Sequence, residues 1–378
     1  MKALVLGCGL MGSAVAVDLA RSRSVSNVVV MDTNSENLKR VSGFSKIKPI
    51  VGDVQNVESK MELAREFDVV VGALPSAITD NAVETVVKSG VSMVDLIFER
   101  VDRSEIDSVA KKRGVTIVPA CGFAPGISNM LTMHAVDSLS KANEVRIKVG
   151  GLPQQPRPPL NYRVTFSIED LIEEYLCPAR VIQNGKLTSV EALTGLETVS
   201  FPPPLGECEA FYTDGLSTLI STIRDVNYMD EKTVRYPGHA KEIRTLIECG
   251  LLDQNLVGFH GTQVSPKEFV TKVLAPRLRL GEDKDVTVLR IDVNGTRDGH
   301  EVVQRFEMID YYDEVEGITS MARTTAFTAS IAAQMVGNRE VEETGIVPPE
   351  LAFRGERFTK LMKELASRGI KIRSQTNN

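Results

Sequence analysis

The sequence predicts a doubly wound α/β fold, a parallel sheet with helices on both faces, followed by a region of mixed α/β (α+β) structure. Three observations carry this. Six short β-rich runs alternate with helical stretches from Lys2 to Pro119. A Gly-x-Gly-x-x-Gly turn joins the first run to the first helix. After Lys141 the alternation gives way to proline-rich connectors and a long hairpin pattern.

Lys2 to Leu6 is an apolar run too short for a helix, and Gly7, Gly9 and Gly12 follow it at once. Met11 to Ala20 then reads as a helix, and a second apolar run, Val28 to Met31, ends on Asp32. Strand, glycine turn, helix, strand and acid form the dinucleotide-binding fingerprint in its required context, which predicts a Rossmann sheet. Gly7 makes the tight turn, Gly9 admits a pyrophosphate, and Gly12 lets helix and strand pack closely. The helix start, with Leu10 and Met11, offers unpaired N–H groups and the positive end of the helix dipole to phosphate. Asp32 can accept both ribose hydroxyls. A 2′-phosphate beside it would meet like charge, and Thr33, Asn34 and Ser35 supply no arginine; the nearest cations are Lys39 and Arg40. NAD is therefore expected in preference to NADP.

Further strands are expected at Ile47 to Val51, Asp68 to Ala73, Val91 to Leu96 and Val115 to Pro119. Helices are expected at Val57 to Glu66, Thr79 to Ser89 and Asp102 to Arg113. Ligands on such sheets sit at the carboxyl ends of the strands. That directs attention to the loops Leu74–Ala77 (with Pro75), Leu96–Glu99 and Cys121–Asn129, the last carrying Phe123, Ala124 and Pro125 beside the expected nicotinamide. Ser128 or Asn129 is expected to cap a helix over Met130–Leu139.

Beyond Lys141, a strand is expected at Glu144 to Val149 and helices at Ile168–Tyr175, Ala240–Gly250 and Pro266–Arg277. Val286–Val293 and Val302–Tyr311 form a hairpin whose loop is expected to exceed two residues. Ile318 to Val336, small and apolar, is expected to be a buried helix that returns with Phe358–Gly369 to the first domain. The expected organisation is a nucleotide-binding domain over 1–140, a substrate and dimerisation domain over 141–317, and returning helices over 318–378.

The chain has 378 residues, net charge −6, 42% hydrophobic and 25% charged residues, which fit an ordinary soluble globular protein and argue against a nucleic-acid surface. No apolar run reaches membrane-spanning length, and because Lys2 leads straight into a strand no signal peptide is expected. Five scattered cysteines and four scattered histidines give no disulfide framework and no metal site, and point to a cytoplasmic protein.

The motifs Gly72–Pro75 (GALP), Gly122–Asn129 (GFAPGISN), Gly150–Pro153 (GGLP), Leu171–Tyr175 (LIEEY), Pro178–Lys186 (PARVIQNGK), Tyr236–His239 (YPGH) and Arg323–Ser330 (RTTAFTAS) extend beyond the fingerprint. Together they make the chain resemble the saccharopine dehydrogenase superfamily, and most closely its NAD-dependent L-lysine 6-dehydrogenases. The resemblance implies a Rossmann domain completed by C-terminal helices, with an inserted substrate domain. It also implies oxidation of the ε-amino carbon of L-lysine to an imine. Hydrolysis of the imine gives 2-aminoadipate 6-semialdehyde, which cyclises to piperideine-6-carboxylate. Saccharopine-forming relatives often carry Asp where this chain has Ala124. The alternatives are a saccharopine or carboxylated-polyamine type reductase, and a non-catalytic NAD-binding sensor.

Amine oxidation by hydride loss needs a neutral amine, so something must take a proton from a group that titrates near 10.4. His239 in the RYPGH turn is the first candidate base, because an unperturbed imidazole suits neutral-pH proton transfer. Asp95, ending the fifth strand, is the rival. An amino-acid substrate also presents a carboxylate that calls for an arginine fork. Arg235, Tyr236, Tyr162, Arg163 and Arg180 are the substrate-binding candidates, with Asp214 a further one; His134, His260 and His300 are read as structural. Pairing through the second domain, where the hairpin offers an exposed edge, is expected to give a homodimer or higher homo-oligomer.

Overall fold

The computed structural model describes residues 1–53, 62–97 and 104–377. The chain forms two compact units. The first comprises Met1–Lys141, Ser217–Arg224 and Ala322–Ile372; the second comprises Ala142–Leu216, Asp225–Met321 and Arg373–Asn378.

In the first unit, β1 (Lys2–Leu6), β2 (Asn27–Asp32), β3 (Ile47–Val51), β4 (Val69–Gly72), β5 (Ser92–Asp95) and β6 (Thr116–Val118) are all parallel. With β17 (Gly345–Ile346) on β6, the sheet order is β17-β6-β5-β4-β1-β2-β3. Order reverses between β1 and β4, the switch point at which doubly wound sheets open a crevice for ligands. The central strands read as near-continuous Val, Leu and Ile because helices cover both faces, and Val69, Val70 and Val71 are fully buried. Helices run over Leu10–Arg21, Ser76–Ser89 and Ser104–Arg113. Part of the helix expected over Val57–Glu66 lies outside the described residues, as do the first residues of the one expected from Asp102 and the end of the Leu96–Glu99 loop.

The helix after β6 begins at Ile127, three residues before the expected start, and runs to Asp137. Its cap is Gly126, whose N–H donates to Asn129 Oδ1 at 3.3 Å, so Asn129 reaches back from inside the first turn. The long small-residue helix runs over Ser320–Gly337. Asp285 accepts its first N–H groups, from Ser320 at 2.7 Å and Met321 at 2.8 Å. A carboxylate there meets the positive end of the helix dipole.

The second unit is built on a nine-stranded mixed sheet. Its main path is β10 (Glu197–Phe201), β11 (Gly206–Tyr212), β12 (Tyr228–Arg235), β7 (Lys141–Pro153), β15 (Asp285–Arg297), β16 (His300–Tyr311) and β18 (Arg373–Asn377). β8 (Ala179–Gln183) pairs with β12 and with β9 (Lys186–Val190); β13 (Val257–Phe259) and β14 (Thr262–Val264) form a separate hairpin. Helices Ile168–Leu176, His239–Glu248 and Pro266–Leu278 accompany the sheet.

Two expectations about the long hairpin are corrected. Arg297 pairs with His300, so its loop is the two-residue turn Asp298–Gly299. Both residues have positive φ, 53° and 82°, the combination that matches strand twist. Asn294 and Gly295 are ordinary ladder positions, opposite Val303 and Val302. The outer edge of the hairpin is not free, because β18 pairs with β16 from Val303 to Glu307.

Candidate active site

In the first unit the glycine turn is shaped as a nucleotide cradle. Gly7 has φ of +94°, and a Cβ there would lie 2.3 Å from Ala73 O. At Gly12 a Cβ would lie 2.1 Å from Gly7 O, so only glycine lets helix and turn meet. Gly9 is the opposite case: it caps the Leu10–Arg21 helix and has nothing within 4 Å of a built Cβ. The open space lies where a pyrophosphate would approach free helix N–H groups.

Asp32 ends β2 and orders this turn. Its Oδ2 accepts the Cys8 N–H at 2.7 Å, and its Oδ1 accepts the Asn34 N–H at 2.7 Å. Asn37 Nδ2 also reaches both oxygens, at 3.4 and 3.3 Å, so a ribose hydroxyl would compete with this longer, shared contact. Lys39 is paired with Glu36, while Arg40 is near enough to Cys8 for its charge to pull against the upward shift of that thiol. Leu10 and Met11 open the helix, Leu74 and Pro75 follow β4, and Phe123, Ala124 and Pro125 follow β6. These loops, with the glycine turn, leave the carboxyl ends of parallel strands. The residues fit a pyridine dinucleotide.

Asp95 is 1% exposed and ends β5 opposite Gly72. Its Oδ1 accepts the Ile97 N–H at 2.7 Å, which orders the turn leaving the strand.

In the second unit the sequence candidates separate. Tyr162, Arg235 and His239 come together with Tyr175, which sequence reasoning did not single out. The Arg235 guanidinium lies over the Tyr162 ring at 4.6 Å and the Tyr175 ring at 5.9 Å. Its Nε donates to Tyr175 Oη at 3.0 Å, and Tyr175 Oη is 2.9 Å from His239 Nε2. His239 Nδ1 is 2.9 Å from Leu160 O, a carbonyl that can only accept. The proton is therefore on Nδ1, Nε2 is the acceptor, and Tyr175 donates to it.

Both imidazole nitrogens are thus engaged, and His239 is 1% exposed, not open to a cleft as expected. Burial, and then the Arg235 charge, push its pKa down to about 3. The turn is held from behind by Glu209, which accepts the Gly238 N–H at 2.8 Å and the Ala240 N–H at 2.7 Å.

The remaining candidates have other partners. Tyr236 Oη donates to Pro153 O at 2.9 Å. Arg163 donates to the carbonyls of Arg157, Pro158 and Tyr162 and pairs with Asp283, so it clamps the proline-rich loop. Arg180 pairs with Asp214 at 2.9 Å. Two groups were missed beside Arg235. Glu174, one residue before Tyr175, comes within 3.9 Å of Arg235 Nη2 and accepts from Thr233 Oγ1 at 2.6 Å. The signal was present in LIEEY, where Glu174 and Tyr175 sit on a helix whose apolar face is Ile168, Leu171 and Ile172.

Among the described residues Arg235 has no tight carboxylate partner, and Tyr162, whose ring lies against the guanidinium, has a buried hydroxyl without a hydrogen-bond partner. A permanent cation against a residue with an unsatisfied hydroxyl is an arrangement for receiving a carboxylate.

The family profile described as "Saccharopine dehydrogenase C-terminal domain" matches residues 122–370, and "Saccharopine dehydrogenase NADP binding domain" matches residues 3–118. The chain belongs to the saccharopine dehydrogenase family. It is 24% identical to the mitochondrial alpha-aminoadipic semialdehyde synthase of Bos taurus over 99% of its own length. It spans about half of that relative, 48%. It is 22% identical to the NADP(+), L-glutamate-forming saccharopine dehydrogenase of Saccharomyces cerevisiae, covering 99% of this chain and 98% of that one. It is 20% identical to the carboxyaminopropylagmatine dehydrogenase of a Synechocystis strain, covering 91% of each. The fold matches that of an apo saccharopine dehydrogenase from Saccharomyces cerevisiae with TM-score 0.82, 18% identity and full coverage of both chains. Two of these relatives are named as dehydrogenases, and the nucleotide-binding unit supports a pyridine nucleotide cofactor. No described helix is long and apolar enough to cross a membrane.

Proposed function

We propose that this protein is an NAD-dependent dehydrogenase that oxidises the ε-amino carbon of L-lysine, giving 2-aminoadipate 6-semialdehyde and its cyclic form. The observation that carries the amino-acid substrate is Arg235, a buried cation with its nearest described carboxylate 3.9 Å away and Tyr162, with its unsatisfied hydroxyl, against it. Such a group binds and orients a substrate carboxylate. The choice of lysine over saccharopine rests on Ala124, where saccharopine-forming relatives often have a carboxylate.

NAD supplies the hydride acceptor when bound. Gly9 and the helix behind it would hold its pyrophosphate, and Asp32 its ribose hydroxyls. Tyr175, fixed between Arg235 and His239, keeps the guanidinium oriented. With its pKa held near 3, His239 is neutral at neutral pH and acts through Tyr175 as a positioning residue.

The second reading is a saccharopine or carboxylated-polyamine reductase, favoured by the names of the relatives. Initial rates decide between them. L-lysine with NAD is expected to outpace saccharopine with NAD or NADP. Faster turnover of saccharopine overturns the lysine assignment, and tight NAD binding without turnover of any amine points to a sensor.

A further inference from the structure

A second charged group shares the face of β12 that carries Arg235. Along a strand alternate residues face the same way, so Glu231, Thr233 and Arg235 lie in one row. Thr233 is tied to Glu174, and its hydroxyl also meets that of Thr213 at 2.9 Å. Glu231 is 5% exposed, and its carboxyl makes no hydrogen bond or ion pair with any described residue. A Cβ at position 215 would run into Glu231 Oε2, so Gly215 alone leaves room for the carboxyl.

A buried carboxyl without partners is costly unless it is neutral or awaits a cation. The charged groups that act on Glu231 are Glu174 from the Ile168–Leu176 helix, Asp214 from the loop after β11, Arg235 from the same row, and Asp230, which precedes it on the opposite face of the strand. Three of the four are acids, and Asp214 already holds Arg180. Burial first, and then Glu174, hold the Glu231 carboxyl well above its ordinary range. Donors without a partner among the described residues include the buried hydroxyl of Tyr162 and Nη2 of Arg180, the arginine paired with Asp214. Tyr162, 1% exposed, lies against the Arg235 guanidinium, so its unpartnered hydroxyl belongs to the Arg235 end of the row. The row therefore offers an anion site at one end and a cation site at the other, the pattern of a zwitterion.

We infer that Glu231 receives the substrate ammonium that stays charged through the reaction, which for an amino acid is the α-ammonium, while Arg235 receives the α-carboxylate. The oxidised nitrogen must lose its proton before hydride leaves, and a carboxylate pressed against it would oppose that loss. A buried acid therefore serves the other nitrogen. This inference rests on the amino-acid substrate proposed above and deepens it by placing the head group.

The test uses NAD-saturated protein and two ligands that differ only in the α-ammonium, L-norleucine and hexanoate, with dissociation constants from calorimetry. Wild type should bind norleucine at least roughly tenfold more tightly than hexanoate, the scale of a charge-assisted hydrogen bond. Glu231→Gln, nearly isosteric, should abolish that preference and leave hexanoate and NAD binding within about twofold. No preference in the wild type overturns the inference, whatever the variant does. So does a Glu231→Gln protein that keeps the preference or loses both ligands equally. Norleucine preference without lysine turnover would sink the lysine reaction and leave the head-group assignment standing.

Discussion

Tyr175 Oη lies 2.9 Å from His239 Nε2 and receives the Arg235 Nε–H at 3.0 Å, so one phenol joins a permanent cation to a neutral imidazole. The chain ends at Leu160 O, and every donor in it has an acceptor. Protonation of His239 would turn Nε2 into a donor facing a phenol that already receives one hydrogen bond. Charge on the imidazole would also add to the buried charge of Arg235.

Acid sensitivity follows with a definite sign. In the unfolded chain His239 binds a proton near pH 6.5, and in the folded protein only near 3. Between those values the unfolded state holds the extra proton, so stability falls as pH drops from about 6.5 toward 3, by up to ~1.4 kcal/mol per pH unit. Denaturant melts across that window should show the slope in wild type and lose that component in His239→Gln. An unchanged slope would mean the imidazole titrates normally.

Tyr175→Phe removes the acceptor of Arg235 Nε and the donor to His239 together. Unpairing buried groups costs roughly 1–3 kcal/mol each. KM for the amino acid should rise about tenfold or more, with NAD affinity unaltered, because the lost contact orients the guanidinium. Steady-state kinetics with each substrate varied separately would reveal the split.

Cofactor preference should favour NAD, since Asp32 opposes a 2′-phosphate. The expected kcat/KM ratio of NAD over NADP exceeds one, and Asp32→Ala should narrow it. Arg40 is the cation that could reverse the outcome. A wild-type preference for NADP that disappears in Arg40→Ala would show that Arg40, not Asp32, governs the ribose site.

Gly9 and Gly12 should respond differently to the same methyl group. Gly9→Ala meets no protein atom and should keep wild-type thermal stability while weakening NAD binding strongly. Gly12→Ala would drive a Cβ to 2.1 Å from Gly7 O and should lower the melting temperature by several degrees. Scanning calorimetry paired with NAD titration separates the two.

Association is expected through the β13–β14 hairpin, which pairs only with itself and exposes Val257 and Phe259. Sedimentation should show a species heavier than the 41.4 kDa chain. Phe259→Ser should shift it toward monomer, and a wild type that sediments as monomer would end the idea.

The sequence was most readable where spacing and sterics act locally. Gly7, Gly9, Gly12 and Asp32 are fixed by one turn between adjacent strands, and the runs from Lys2 to Val118 alternate as helix-covered strands must. The Arg235 cluster was only half readable. Tyr162, Tyr175, Arg235 and His239 come from separate elements, and nothing in sequence spacing says that Tyr175, not Tyr236, would face the guanidinium. Burial of His239 was also hidden, because it depends on Phe211, stacked on its ring at 6.4 Å, and on Leu160, which is distant in sequence. The length of the 285–311 hairpin was misjudged for a simpler reason. Asn294–Gly295 and Asp298–Gly299 are both good turn pairs, and only the ladder register selects the second.

Residues Ser217–Arg224 leave the second unit, pack in the first through Thr222 Oγ1 to Glu350 Oε1 at 2.8 Å, and return. The first unit also waits for β17, which joins its sheet only at Gly345–Ile346. During synthesis, then, the nucleotide-binding sheet is begun at Lys2–Leu6 and closed only after the second-unit segments up to Met321 have emerged. A nascent chain stopped before residue 322 would carry the fingerprint on an unfinished core. For the same reason the second unit cannot be exchanged as a single cassette between two cut points. A graft that kept 142–321 together would carry away Ser217–Arg224 and leave Glu350 buried with no hydroxyl from Thr222.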